Sequence, residues 1–163
     1  MLWSESGEGG ECTRVQVLED HTRDIWAVCF SPDGKQLATG SADNLINIYS
    51  FNEGNAILAH TLEGHTHYVW SLSFSPDCKL LCSGSVDESI KFWNPADGSL
   101  VKSIDQAHTS TVRSVSYSPN GRVLVSAGYD NTKKIWDAET FELKHTFEQE
   151  YRTSQLTITA DSN

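Results

Sequence analysis

A histidine, a serine or threonine, an aspartate and an aromatic residue recur along this chain at fixed spacing. They are His21, Thr39, Asp43 and Tyr49, then His65, Ser83, Asp87 and Trp93, then His108, Ser126, Asp130 and Trp136. Serine, histidine and aspartate are the parts of a nucleophilic hydrolase: the hydroxyl attacks, the imidazole takes its proton, and the carboxylate orients the imidazole. Repetition argues against that use. An enzyme needs one activated nucleophile, and this chain would carry one in every copy, so no catalytic residue is expected.

The other residues capable of chemistry have plainer readings. The cysteines are Cys12, Cys29, Cys78 and Cys82, and the last two are close enough to suggest a metal pair. Aligned with its sister segments, however, Cys78 stands where Gly34 and Gly121 close a turn, and Cys82 where Ala38 and Val125 stand. A free cysteine behaves as a small hydrophobe, so both read as packing residues and no metal is expected. The opening Met-Leu-Trp-Ser-Glu-Ser-Gly-Glu-Gly-Gly has no basic start and no apolar block. It does not read as a secretory signal, and reduced thiols are expected rather than disulfides. There is no glycine-rich phosphate loop, no His-Glu-x-x-His pair and no zinc spacing, so no cofactor is expected. His60, His67 and His145 stand alone and read as solvent-facing.

Charge narrows the partners. The formal net charge is −10 over 163 residues, and the longest basic run is Lys133-Lys134. Binding phosphate needs clustered Lys and Arg, so neither nucleic acid nor an anionic membrane is an expected partner. No apolar run approaches the roughly 20 residues that span a bilayer. The chain reads as a soluble intracellular protein, cytoplasmic or nuclear, long enough to bury a core.

The elements that position these residues follow from the repeat. Segments beginning at His21, His65 and His108 align without gaps over 29 columns, with 13 identities between the first and second and 12 between the second and third. Unrelated segments would share about two, so the repeat is real. Each copy alternates apolar and polar residues in short runs, the pattern of strands. In the first copy the runs are Ile25 to Phe30, Gln36 to Gly40, Leu45 to Tyr49 and Ala56 to Leu62. Ser31-Pro32-Asp33-Gly34 separates the first two, as Ser75-Pro76-Asp77-Cys78 and Ser118-Pro119-Asn120-Gly121 do later. Proline suits the second position of a turn, and glycine closes it. The unit is a four-stranded antiparallel meander. One such sheet has two apolar faces and buries them only by stacking on its neighbours around an axis.

Gly64-His65, Ser83-Gly84-Ser85, Asp87, Trp93 and Trp136-Asp137 resemble the WD40 repeat family, over roughly Val15 to Glu148. Tyr49-Ser50 and Trp93-Asn94 depart from the Trp-Asp pair, and Asp20-His21 and Ala107-His108 from Gly-His. The resemblance implies an all-β propeller segment of three full four-stranded antiparallel blades, with partial blade strands at each end. Residues 1–18 read as end strands of a preceding blade, 19–62, 63–105 and 106–148 as the repeats, and 149–163 as a degenerate strand or tail. It also implies a structural hydrogen-bond chain from Asp to His to a hydroxyl to the Trp indole. The hydroxyl is Thr39, Ser83 and Ser126, or the residue two later, and Tyr49 reaches less far than an indole.

Three blades do not close an ordinary ring of about four to eight. The readings are a stretch of a longer propeller, which is favoured, self-association or another chain that completes the ring, and a strained four-blade form. In propellers of this kind the start of each first strand lies near the top rim of the channel. Those columns hold Asp24 and Trp26, Tyr68 and Trp70, and Thr111 and Arg113; the residue before the turn aspartate adds Ala42, Val86 and Tyr129. Trp, Tyr and Arg dominate interface energetics, so these are the candidate partner-binding residues. The expected function is a non-catalytic scaffold or adaptor for protein partners. The alternatives are the substrate-recognition subunit of a larger complex such as a ubiquitin ligase, or a reader of basic, histone-like peptides.

Overall fold

The computed structural model describes residues 2–6 and 11–148. Among them all regular structure is strand. β1 (Leu2–Ser6) and β2 (Glu11–Gln16) form an antiparallel pair. The first blade is β3 (Ile25–Phe30), β4 (Gln36–Ser41), β5 (Ile46–Asn52) and β6 (Asn55–Leu62). The second is β7 (Val69–Phe74), β8 (Leu81–Ser85), β9 (Ile90–Trp93) and β10 (Leu100–Ile104). The third is β11 (Val112–Tyr117), β12 (Val123–Gly128), β13 (Thr132–Asp137) and β14 (Leu143–Glu148). Each blade pairs its strands in chain order, the meander expected from the alternation. The degenerate strand or tail expected over 149–163 lies outside the described residues.

The turns explain the register. After β3, Ser31 Oγ donates to Asp33 Oδ1 at 2.6 Å and accepts from the Gln36 amide at 2.9 Å. The chain then needs a left-handed residue, and Gly34 supplies it at φ 70°. Cys78 takes the same conformation at φ 60°. It is a turn residue, and Cys82 is a wholly buried one.

Blades stack through alternate faces. Ala38, Ile46 and Ile48 of the first blade pack on Val69, Leu72 and Phe74 of the second. Cys82, Ile90 and Phe92 of the second pack likewise on Val112, Val115 and Tyr117 of the third. The approach is closest at one column. A Cβ built on Gly40 would lie 2.7 Å from Val69 Cγ1, and one on Gly84 the same distance from Val112 Cγ1. In the third blade the column holds Ala127. Glycine therefore stands where the next blade's valine leans in.

Among the described residues, no blade packs on the β3 face of the first blade. Val69, Leu72 and Phe74 are at most 9% exposed, whereas their counterparts Ile25, Val28 and Phe30 are 47%, 63% and 54% exposed. Burying one such side chain is worth about 1.5–3 kcal/mol, so this face forgoes several. β2 is tethered to the first blade's edge instead: the Gln16 side chain donates to the Ala56 carbonyl and accepts from its amide, both at 2.8 Å.

Because Val112 is buried and stiff at its first torsion, Gly84→Ala has no cheap relaxation. It should destabilise the chain by about 1–3 kcal/mol, the usual cost of overpacking, as read from urea unfolding. An unchanged midpoint would show that the blades do not meet at this column.

A buried hydrogen-bond chain and an aromatic rim as candidate functional sites

Each blade carries one chain of polar groups between its strands. In the second blade, His65 Nδ1 lies 2.8 Å from Asp87 Oδ2 and Nε2 lies 2.7 Å from Ser83 Oγ. The Trp93 indole N–H donates to the same oxygen at 2.8 Å. The third blade repeats this, with His108 Nδ1 to Asp130 Oδ2 at 2.9 Å, Nε2 to Ser126 Oγ at 2.7 Å, and Trp136 donating to Ser126 at 2.8 Å. A carboxylate only accepts, so Nδ1 carries the proton and Nε2 accepts from the hydroxyl. The serine oxygen in turn accepts from the indole. Ser83 and Ser126 are fully buried, and each oxygen is engaged by both the imidazole and the indole.

The hydroxyl on the histidine is thus Thr39, Ser83 or Ser126. Where the position two later is a serine, it caps the turn: Ser85 Oγ donates to the His67 carbonyl and accepts from the Asp87 amide, both at 3.0 Å.

The first blade differs at the aromatic end. His21 reaches Asp43 at 3.0 Å and Thr39 at 2.8 Å. Tyr49 donates its hydroxyl to Asp20 Oδ2 at 3.0 Å. Burial, then Asp20, pushes the Tyr49 phenol up to about 12. The sequence carried a signal for this. Asp20 occupies the column of Gly64, where the larger Trp93 ring comes within 3.1 Å of where a Cβ would sit. The shorter tyrosine leaves room for an acceptor, and the aspartate fills it. Reading each column singly missed this exchange. It also missed Ser89 and Thr132, whose hydroxyls donate to the turn aspartate at 2.6 and 2.8 Å. His60, expected at solvent, is half-buried and its Nε2 lies 3.2 Å from the Ala96 carbonyl, because the second blade's Gly98 packs beneath its ring.

Electrostatics follow the bonds. Burial raises the Asp43, Asp87 and Asp130 carboxyls, but backbone amides, histidines and hydroxyls outweigh it, and all three lie below the ordinary carboxylate range. For His108 burial outweighs Asp130 and holds the imidazole below its usual value, with Lys134 adding to the effect.

The rim residues cluster at the start of each first strand. The same backbone bond ties each pair: Ala42 to the Asp24 carbonyl at 2.9 Å, Val86 to Tyr68 at 3.0 Å, and Tyr129 to Thr111 at 3.0 Å. Trp26 is 47% exposed, and its ring lies 4.4 Å from that of Trp70 across the blade boundary. Arg113 places its guanidinium 4.2 Å from the Trp70 centroid and 5.5 Å from that of Tyr129. Its Nε is buried with no hydrogen-bond partner among the described residues. Asp24, Trp26, Ala42 and Tyr68, with Arg23, line a depression of about 400 Å³. The described residues hold no cluster of three or more His, Cys, Asp or Glu side chains suited to a metal ion. The described residues contain no helix long and apolar enough to cross a membrane.

The model of the WD domain, G-beta repeat, matches residues 11–50, 57–94 and 98–137. These stretches cover well over half of the chain, which belongs to the WD40 repeat family. Each begins with the outer strand of one sheet and ends with the third strand of the next, so the family repeat and the blade are offset by one strand. WD repeat-containing protein 1 of Gallus gallus is 49% identical over 43 residues, which are 26% of this chain and 7% of that protein. Two solved structures share the fold at 21% identity. "Structure of U3-55K" gives a TM-score of 0.76 over 82% of this chain and 42% of its own. "Crystal structure of RRP9 WD40 repeats" gives 0.77 over 84% and 42%. The chain thus spans less than half of each of these relatives.

A pH dependence follows from the polar chains. A histidine held low binds fewer protons folded than unfolded, so its contribution is complete above about pH 6.5 and declines as pH falls. The lowered aspartates contribute above about pH 4 and lose that contribution below it. The urea midpoint should therefore be level above neutrality, decline between pH 6.5 and 5, and fall more steeply below about 4. A midpoint that rises on acidification from pH 7 to 5 contradicts the neutral His108.

Proposed function

We propose that this chain is a non-catalytic protein-interaction scaffold that holds its partner on the rim built by Trp26, Trp70, Arg113 and Tyr129. Membership of the WD40 family supports protein interaction in general. The observation that carries the finer reading is the ladder across three blades, in which an exposed indole, a second indole tilted against it and a guanidinium over the second ring lie in contact. Large aromatic side chains lose little conformational freedom on binding, and Trp, Tyr and Arg supply the anchors of interfaces. Asp24, Tyr68, Val86 and Thr111 surround that ladder as its contact shell. The polar chains are structural: their serine oxygens are buried and doubly engaged.

Arg113 bears on the alternatives. A reader of basic peptides would present carboxylates along this rim, and the ladder presents a cation instead. Nothing in the site distinguishes an adaptor from a substrate-recognition subunit. The uncovered β3 face accepts another blade, from a second copy or from a longer chain. An intracellular setting suits the free cysteines Cys29, Cys78 and Cys82.

Trp70→Ala combined with Arg113→Ala should reduce capture of a bound partner at least about tenfold, the scale of losing an interface anchor, while the unfolding midpoint shifts little. Capture at wild-type strength by the folded double variant would place the binding surface elsewhere.

A further inference from the structure

The end of the strands opposite the rim has a cleft of about 650 Å³ between the second and third blades. One wall is the β7–β8 turn, with Pro76, Asp77 and Leu80; the other is the β13–β14 turn, with Ala138, Glu139 and Phe141. Tyr117, at the end of β11, lines it between them.

Two residues here cost the fold something that the sister blades avoid. Tyr117 is 7% exposed, and its hydroxyl is buried without a hydrogen-bond partner among the described residues. The same column holds Phe30 and Phe74, so the blade packs without the hydroxyl, and an unmade bond in the interior is unfavourable. Phe141 has φ 61°, a left-handed conformation that bulky residues avoid. Its column holds Gly54 at φ 82° and Gly98 at φ 75°, which adopt that conformation without strain. The Phe141 ring leans on Phe92 with centroids 4.5 Å apart and presents an apolar wall to the cleft. Strain and an unpaired buried donor at one place, absent from both sister copies, mark a site shaped for something other than folding.

We propose that this cleft is a second docking site, which takes a peptide segment of a protein partner carrying an apolar side chain followed by a lysine or arginine. The volume lies within the range of ligand pockets. Pro76, Leu80 and Phe141 supply the apolar walls. The Tyr117 hydroxyl donates to a carbonyl of the incoming backbone. Charge sets the flanking residue. Asp77 and Glu139 stand at the mouth, and Glu139 makes no ion pair among the described residues. Lys79, which also lines the cleft, lies 3.6 Å from Asp77 with its side chain 80% exposed, so Glu139 is the carboxylate left to meet a cation. This reading is independent of the rim, because no residue is shared.

The sister copies supply the test. Tyr117→Phe and Phe141→Gly each install what the other blades carry. Tyr117→Phe should keep the wild-type unfolding midpoint or exceed it, and Phe141→Gly should stay folded, relief of the left-handed strain offsetting part of the lost Phe92 contact. The probes are acetyl-Ala-Phe-Arg-Ala-amide and its Glu counterpart, followed by saturation-transfer NMR on the peptide ring. The Arg peptide should receive saturation from the wild-type chain and the Glu peptide should not. Each variant should bind the Arg peptide about fivefold more weakly, the scale of one lost hydrogen bond or wall contact. No transfer at millimolar peptide, equal transfer to the Glu peptide, or wild-type binding by either variant would overturn the proposal.

Discussion

A serine oxygen buried between two strands sets the frame for everything else in this chain. Ser83 meets an imidazole on one side and an indole on the other, and the imidazole is held by the aspartate of the next turn. Leaving either partner unpaired in the interior costs about 1–3 kcal/mol per group, so the groups hold together or are lost together. The chain ties the segment entering the blade to β8, to the turn after it and to β9. It thereby reinforces the register that the turns and the alternating apolar pattern set. The same atoms that would make a hydrolase are spent on geometry.

Rigid blades then determine how neighbours meet. Because each sheet is pinned, its second strand presents a glycine at the point where the next blade's valine arrives, and the cores between blades form from alternate faces. The same stacking brings Trp26, Trp70 and Arg113 into one line, since equivalent positions on successive blades are neighbours in space. A surface assembled from one column of a repeat is pre-ordered by the fold, and its chemistry changes by substituting that column, as from tryptophan to arginine here. The β3 face shows the same rule from its other side: where no described blade packs on it, side chains built for burial stand open.

Much of this was legible in the residues. Strand runs, turns and blade order followed from alternation and from the repeated Ser-Pro-Asp/Asn-x turns, because local propensity and tertiary packing agree there. The column of each polar residue was legible too, although the alignment left two hydroxyl positions open and only geometry distinguishes Ser83 from Ser85. What stayed hidden were exchanges between columns. Asp20 answers Tyr49 because the tyrosine is shorter than an indole, and a column read singly shows only a departure from Gly-His. That Phe141 shares a left-handed turn position with Gly54 and Gly98 shows only in the backbone angles. The pairing of Arg113 with Trp70 joins residues 43 positions apart, a contact that becomes visible only when the blades are stacked.

The most direct test of the account is a double-mutant cycle on the unfolding free energy with Ser83→Ala and Trp93→Phe. If the polar chain is one structural unit, the two changes remove the same interaction. The double variant should then be less destabilised than the sum of the single variants, with a coupling of about 1–3 kcal/mol. Strict additivity would mean that the serine and the indole act separately, and would contradict the claim that this buried chain holds the blade.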